Sequence, residues 1–372
     1  MHRLIYAASE HSADMLYATR FPAPDPFLYF EKSGRRYIAL SQLEYDRGCR
    51  EARVHHVINQ SALVEEMKKN RRSPVATHDW IAEALRRHGI GKVQVSPLFP
   101  MGLAGLLRKR GIKLAVVRDD LFPERVCKDK VELAAIRKAL KVTAELLQHA
   151  IEMIRSSRPG RDGVLMLGKA PLTSERVQAV IRMEAARRGF EISHPIVAGG
   201  LQACDPHERG HGRLKANELV ILDIFPRDLE TGYWGDMTRT VVKGRASETQ
   251  HRQFETVRRA QKLAISRLQD GVDGRVVHEA VEKFFNEKGY VSGNSTGRYE
   301  GFFHGTGHGL GLEIHESPRV SSMPWKLKAG NVVTVEPGLY YQEVGGVRIE
   351  DVVVIRRNGC EMLSRFPVRL EI

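Results

Sequence analysis

Cysteine is scarce in this chain of 372 residues: there are four, at positions 49, 127, 204 and 360, and no two stand in a Cys-x-x-Cys spacing. A disulfide-stapled framework is excluded, and a reduced, cytoplasmic protein is expected. Long apolar runs are missing too. No stretch approaches the roughly 18 apolar residues of a membrane-spanning helix, so no membrane partner is expected. The opening segment MHRLIYAASEHSADMLYATRF has no sustained apolar core, and no signal peptide is expected. Blocks of one charge sign are absent as well. The 58 Lys and Arg outnumber the 45 Asp and Glu, for a net charge of +13. The excess is denser in the first third, but it is scattered, in short runs such as Lys68-Lys69 and Arg71-Arg72. Such charge can attract nucleic acid, anionic membrane or acidic peptide. Scattered in this way it reads first as a solvated surface, and nucleic acid is not expected as a partner.

What is present is ordinary globular chemistry. Hydrophobic residues make up 42% and charged residues 28%, enough for full cores in two domains. To about residue 120 the pattern alternates between strand-like and helix-like. Phe27-Leu-Tyr-Phe and Tyr37-Ile-Ala-Leu flank Ser33-Gly34 and predict a hairpin. Residues 62–69 and 78–87 predict short helices, and 93–95 and 114–117 buried strands. This is a small α/β domain over residues 1–124. Leu133, Ile136, Leu140, Leu147, Ile151 and Ile154 then recur on one helical face. Helices over 129–155 and 174–188 are followed by strands at 194–199, 218–225 and 233–242. Helices over 248–269 and 274–288 are followed by strands at 331–336, 338–342 and 347–355. Helices then strands, twice, predict an α+β domain over 125–372 with an internal duplication.

The chemistry sits on the strands of that second domain. Leu219-Val-Ile-Leu-Asp223-Ile-Phe is an apolar strand with one carboxylate, costly unless the charge is paired or holds a metal. Asp236 opens the partner strand. A second hairpin repeats the arrangement, with Glu336 after Val332-Val-Thr-Val and Glu350 after Gly346-Val-Arg348-Ile. Arg348 and Glu350, two apart, point to one face and Asp351 to the other. Between the hairpins lies His304-Gly-Thr-Gly-His308-Gly-Leu-Gly-Leu-Glu-Ile-His315, whose glycines let backbone pack closely around a site. Four clustered acids repel unless compensated. Two divalent cations supply the compensation, and one imidazole among oxygens suits Mn, Co, Zn or Fe. A pair of such ions polarises a carbonyl and lowers the pKa of a shared water, which points to amide hydrolysis.

These residues resemble those of the pita-bread metallopeptidases (family M24), which include methionine aminopeptidase, prolidase and aminopeptidase P. The strings TGYWGDMTRT, HGTGHGLGLEIHE, TVEPGLYY and VRIED carry the likeness, over about residues 125–372. The resemblance implies a pita-bread domain of pseudo-twofold symmetry and two divalent ions, with Mn the favoured metal. Asp223 would bind one ion, His308 and Glu336 the other, with Asp236 and Glu350 bridging. Glu336 would also act as general base, with His207 near the scissile bond and His315 stabilising the tetrahedral intermediate. Tyr340 and Arg348 match supporting positions near metals or substrate. His304 either meets substrate or only hydrogen-bonds within the glycine-rich loop.

The extra N-terminal domain turns the resemblance towards the proline-directed branch. That implies a substrate with proline at its second position, a homodimer, and Xaa-Pro dipeptidase or aminopeptidase activity. The alternative is a relative that has lost catalysis and binds peptide or nucleic acid. Two departures stand out. Asp223 and Asp236 are 13 apart, two more than in many relatives, which a longer hairpin tip absorbs without changing parity. The stretch His207-Glu-Arg-Gly-His211-Gly is also unusual, and leaves open whether His207 or His211 faces substrate. The preceding proline favours His207, and His211 is expected at the rim.

Overall fold

The computed structural model describes residues 2–69, 73–118, 120–294 and 297–372; Arg71 and Arg72 of the basic run lie outside them. The chain divides into two compact units, Met1–Arg125 and Val126–Ile372.

The first unit is built on a six-stranded mixed sheet in the order His56–Asn59, Arg35–Leu40, Phe27–Lys32, His2–Ala7, Lys92–Val95, Lys113–Val116. Its central hairpin shows why the strand Phe27–Lys32 is apolar on successive residues. Leu28 and Phe30 enter one core with Leu4, Trp80 and Leu85, while Phe27 and Tyr29 enter another with Phe21, Ile38 and Leu40. A strand covered on both faces needs no alternation. Lys32 pairs with Arg35 across a two-residue turn. Ser33 and Gly34 both have positive φ, 50° and 77°, the geometry whose twist matches that of the flanking strands.

The second unit carries the duplication. Its first half has the helices Lys130–Arg155 and Ser174–Arg187 and the sheet Ile196–Gly199, Leu219–Ile224, Met237–Val242. The long helix starts at Asp129, whose side chain accepts from Val131 N and Glu132 N while Glu132 caps back. All six apolar residues of the predicted face are buried, so packing holds the helix along its length. The second half has the helices Glu248–Arg267 and Gly274–Glu287 and the sheet Glu316–Val320, Gly307–Gly309, Val332–Val335, Asp351–Arg356, Gly359–Met362.

The second hairpin differs from its sequence reading in one respect that matters. Its second arm, expected as one strand over 347–355, is split in two. Val332–Val335 pairs with Asp351–Arg356, and Gly338–Tyr341 pairs separately with Gly345–Arg348. The ladder breaks at Glu336-Pro337 and Ile349-Glu350. Proline has no N–H to give a central ladder. The freed backbone groups pair elsewhere: Glu336 N donates to Thr306 O at 2.8 Å, and Glu350 N to Thr238 O at 3.1 Å. The Thr240 hydroxyl donates to Arg348 O at 2.9 Å and accepts from Arg348 N at 3.0 Å. The two half-sheets are therefore stitched together beside the acids.

Arg239 locks this seam. Its guanidinium, 2% exposed, donates to the carbonyls of Thr238 (2.9 Å), Glu350 (2.6 Å), Phe366 (2.8 Å) and Pro367 (3.2 Å), and to Asp351 (2.9 Å). Arg239→Met would strand the Asp351 charge and several buried acceptors. We expect a loss of about 3–5 kcal/mol of stability, the cost of breaking a buried ion pair. Denaturant unfolding measures it, and a loss under about 1 kcal/mol would remove Arg239 from this role.

Among the described residues no helix is long and apolar enough to cross a membrane. Cys204 is buried, and its thiol is pushed up to about 11 by burial and then by Glu300. That fits packing rather than nucleophilic chemistry.

Candidate metal centre

Strand register fixes the first pair of acids. Asp223 lies directly opposite Thr238, so their side chains share a face, and Asp236, two before Thr238, falls on that face too. The tip between the acids is folded rather than loose. Arg227–Asp228 pairs with Phe190–Glu191, and buried Asp228 receives Glu230 N, the Thr231 hydroxyl and Lys138 Nζ at 2.9–3.1 Å. A Cβ on Gly235 would run into Ala139 of the long helix. This built turn takes up the longer span.

His308 sits in the strand Gly307–Gly309. A Cβ on Gly307 would collide with the Thr334 carbonyl, and one on Gly309 with that of Ser317. Only glycine on both sides lets the backbone bring His308 into the acids. The imidazole Nδ1–H donates to Gly309 O at 3.2 Å. Nε2, then without a proton, lies 3.4 Å from Glu336 Oε1 and 3.7 Å from Asp236 Oδ2.

A cavity of about 920 Å³ is lined by Asp223, Asp236, His308, Glu336 and Glu350, together with His207, His304, His315 and Arg348. Ligand atoms of Asp236, His308 and Glu350 all lie within 4.8 Å of one another. The Thr238 hydroxyl donates to Glu350 Oε2 at 2.8 Å. Arg348 Nη2 donates to Asp223 Oδ2 at 2.7 Å, leaving Asp223 Oδ1 buried without a partner. His315 stands edge-on to His308, ring centroids 4.4 Å apart. His207 is on the cavity wall, whereas His211 is outside it, beside Glu208 at 3.7 Å.

Tyr340 lies behind the wall and is fully buried. Its hydroxyl contacts His304 Nε2 at 2.8 Å and accepts from Arg348 Nη1 at 3.0 Å. His304 Nδ1 lies 2.8 Å from Gly305 O, which makes Nδ1 the donor and Nε2 the acceptor from Tyr340. Both ring nitrogens are thus engaged within the protein, while the ring also lines the cavity. Thr238, Thr334 and Arg319 were not singled out from sequence. Thr334 holds His308 N at 3.0 Å, and Arg319 lines the cavity opposite His308 in the ladder. The period-2 pattern Asp236-x-Thr238-x-Thr240 and Thr334-x-Glu336 was the available signal.

The electrostatics test whether cations fit. Burial, then repulsion from Asp223 and Glu336, pushes Asp236 far above the carboxylate range. Burial, then repulsion from Asp236, does the same to Glu350. Glu336 is pushed up to about 7 by burial, against the pull of Arg348 and with the push of Asp223. His308 is lowered to about 3 by burial and by His315, so it is neutral and ready to ligate. Acids that cannot all ionise alone, an orphaned Asp223 oxygen and a free imidazole lone pair form a donor set suited to divalent cations.

The sign of the pH dependence follows. Groups whose pKa is raised must release protons for a cation to enter. Metal affinity should therefore climb as pH rises through about 7, where Glu336 loses its proton, with protons released on binding, and His308, lowered to about 3, contributes none of it. Titration calorimetry in buffers of different ionisation enthalpy counts those protons. Uptake without proton release would contradict the acid cluster as the ligand set.

A profile described as metallopeptidase family M24 matches residues 134–357. The chain belongs to metallopeptidase family M24. It is therefore a metallopeptidase, and the family implies divalent metal ions. This M24 peptidase is 32% identical over 282 residues to a Xaa-Pro dipeptidase of Pyrococcus horikoshii, covering 74% of each chain. Its fold superposes on an X-Pro aminopeptidase from Thermotoga maritima with a TM-score of 0.82 at 22% identity, covering 100% of this chain and 97% of the other. The prolidase from Pyrococcus horikoshii matches with a TM-score of 0.79 at 25% identity, covering 99% and 95%. The pita-bread architecture with an added N-terminal α/β domain stands as expected.

Proposed function

We propose that this M24 peptidase hydrolyses the Xaa-Pro bond at the N-terminus of dipeptides or short peptides, with two divalent ions, Mn being favoured. The observation that carries the reading is the convergence of four acids and one imidazole in one cavity, in a chain 32% identical to a protein named Xaa-Pro dipeptidase. Asp223 would hold one ion, His308 and Glu336 the other, and Asp236 and Glu350 both. When bound, the ions would polarise the scissile carbonyl and acidify the attacking water. Glu336 would take a proton from the attacking water and pass it to the departing nitrogen of proline. Arg348 aims Asp223, and Tyr340 aims Arg348 through its hydroxyl. His207 and His315 stand on the wall to donate to the carbonyl oxygen as charge develops there. A relative that only binds would have no need of the whole ligand set.

A turnover panel tests the reading: Xaa-Pro dipeptides, longer Xaa-Pro peptides and Met-peptides, with Mn, Co or Zn added to metal-free protein. Cleavage confined to Xaa-Pro bonds is expected. Preference for Met-peptides, or no cleavage with any metal, would sink it. We further expect a homodimer, which sedimentation measures.

A further inference from the structure

The chemistry above leaves the unusual stretch His207-Glu-Arg-Gly-His211-Gly without a use for Arg209. Its backbone is firmly held. Arg209 O accepts from Val197 N at 2.9 Å and from Gln178 Nε2 at 2.7 Å. Gln178, 6% exposed, also donates to Gly210 O at 3.1 Å. Gly210 has φ +85°, and a Cβ there would run into the Val197 carbonyl, so the turn admits only glycine. On the other side Gln202 Nε2 donates to His211 O at 2.9 Å, and His211 N donates to Gln202 Oε1 at 2.8 Å.

From this rigid base Arg209 lines the cavity. Its guanidinium has no ion pair or hydrogen bond among the described residues. The other charges are largely committed. Asp223, Asp236, Glu336 and Glu350 form the metal centre, and Arg348 is tied to Asp223. Arg319 sits opposite His308 in the ladder, beside the reacting centre. Away from the reacting centre the wall carries one cation, Arg209, and one acid, Asp205.

We infer that Arg209 is a specificity-determining residue that selects peptides carrying a side-chain carboxylate beside the scissile bond, on the residue before proline or on the one after it. The inference rests on the Xaa-Pro reading above. A planar guanidinium without a partner matches a carboxylate in geometry and charge, and although the Arg209 side chain is exposed, its fixed backbone sets where on the wall it can reach.

The test uses isosteric pairs on the metal-loaded enzyme: Glu-Pro against Gln-Pro, and Ala-Pro-Glu against Ala-Pro-Gln. In one of the pairs kcat/KM should favour the acid by about tenfold, the size of a charge-assisted hydrogen bond. Arg209→Gln should bring that ratio close to one, and Arg209→Glu should invert it. The ratio is read within each variant, so a partly folded preparation does not disturb it. The pair that discriminates identifies the source of the carboxylate. Equal rates in both wild-type pairs overturn the inference and leave the Xaa-Pro reading intact. So does a preference that survives Arg209→Gln, or an Arg209→Gln loss as large for Gln-Pro as for Glu-Pro, which would assign Arg209 to the terminal carboxylate. A wild type that cleaves none of the four contradicts the Xaa-Pro reading itself.

Discussion

Asp236→Asn is expected to lower turnover on the order of 10³-fold or more, because on the proposed reading it removes a charged ligand shared between two ions. The fold should survive. Asp236 is 4% exposed, and burial together with Asp223 and Glu336 already disfavours its charge when no cation is present. An amide of the same shape is therefore no burden to the metal-free protein. The loss should appear instead as a fall in metal stoichiometry from about two ions per chain, read by elemental analysis. A variant that unfolds would make Asp236 a structural residue. One that keeps full turnover would deny that it bridges.

His315→Ala should separate catalysis from metal binding. His315 is packed edge-on to His308 at 4.4 Å, and on the proposed reading it holds no ion. Its pKa is lowered by burial first and then by Arg319 and His207, which favours the neutral ring that the proposed donor role uses. Losing one donor to a developing oxyanion costs about 10²–10³-fold in kcat. Metal content should stay close to the wild-type value, and KM should change less than kcat. If the variant instead arrives stripped of metal, His315 is holding the centre and its assignment to the transition state falls.

The residues of the site were legible because their chemistry conflicts with their surroundings. A lone Asp223 in Leu-Val-Ile-Leu, or Glu350 between Ile349 and Asp351, breaks the apolar pattern that packing asks for. Those positions line one cavity. What sequence did not show are pairings between residues far apart in the chain. The Thr238 hydroxyl meets Glu350 across 112 positions, and Arg239 reaches Phe366 across 127. No local periodicity carries such contacts. The broken second hairpin belongs here too, since Pro337 hints at an interruption but not at where Glu336 N and Glu350 N find new acceptors.

Elements were missed for recognisable reasons. The helix Gln42–Glu51 buries only Gly48, which faces Leu40 so closely that a Cβ would clash; it offers no apolar stripe to read. The strand Glu316–Val320 contains Pro318, and Gly307–Gly309 is two-thirds glycine. Both compositions argue against strands. The two nevertheless pair with each other beside His308, where close backbone approach outweighs propensity.

The central claim concerns where two cations bind, and a crystal soaked with manganese addresses it most directly through anomalous scattering. The account predicts two peaks enclosed by Asp223, Asp236, His308, Glu336 and Glu350, with Asp236 and Glu350 touching both. A cavity without peaks, or peaks held by other side chains, would contradict it.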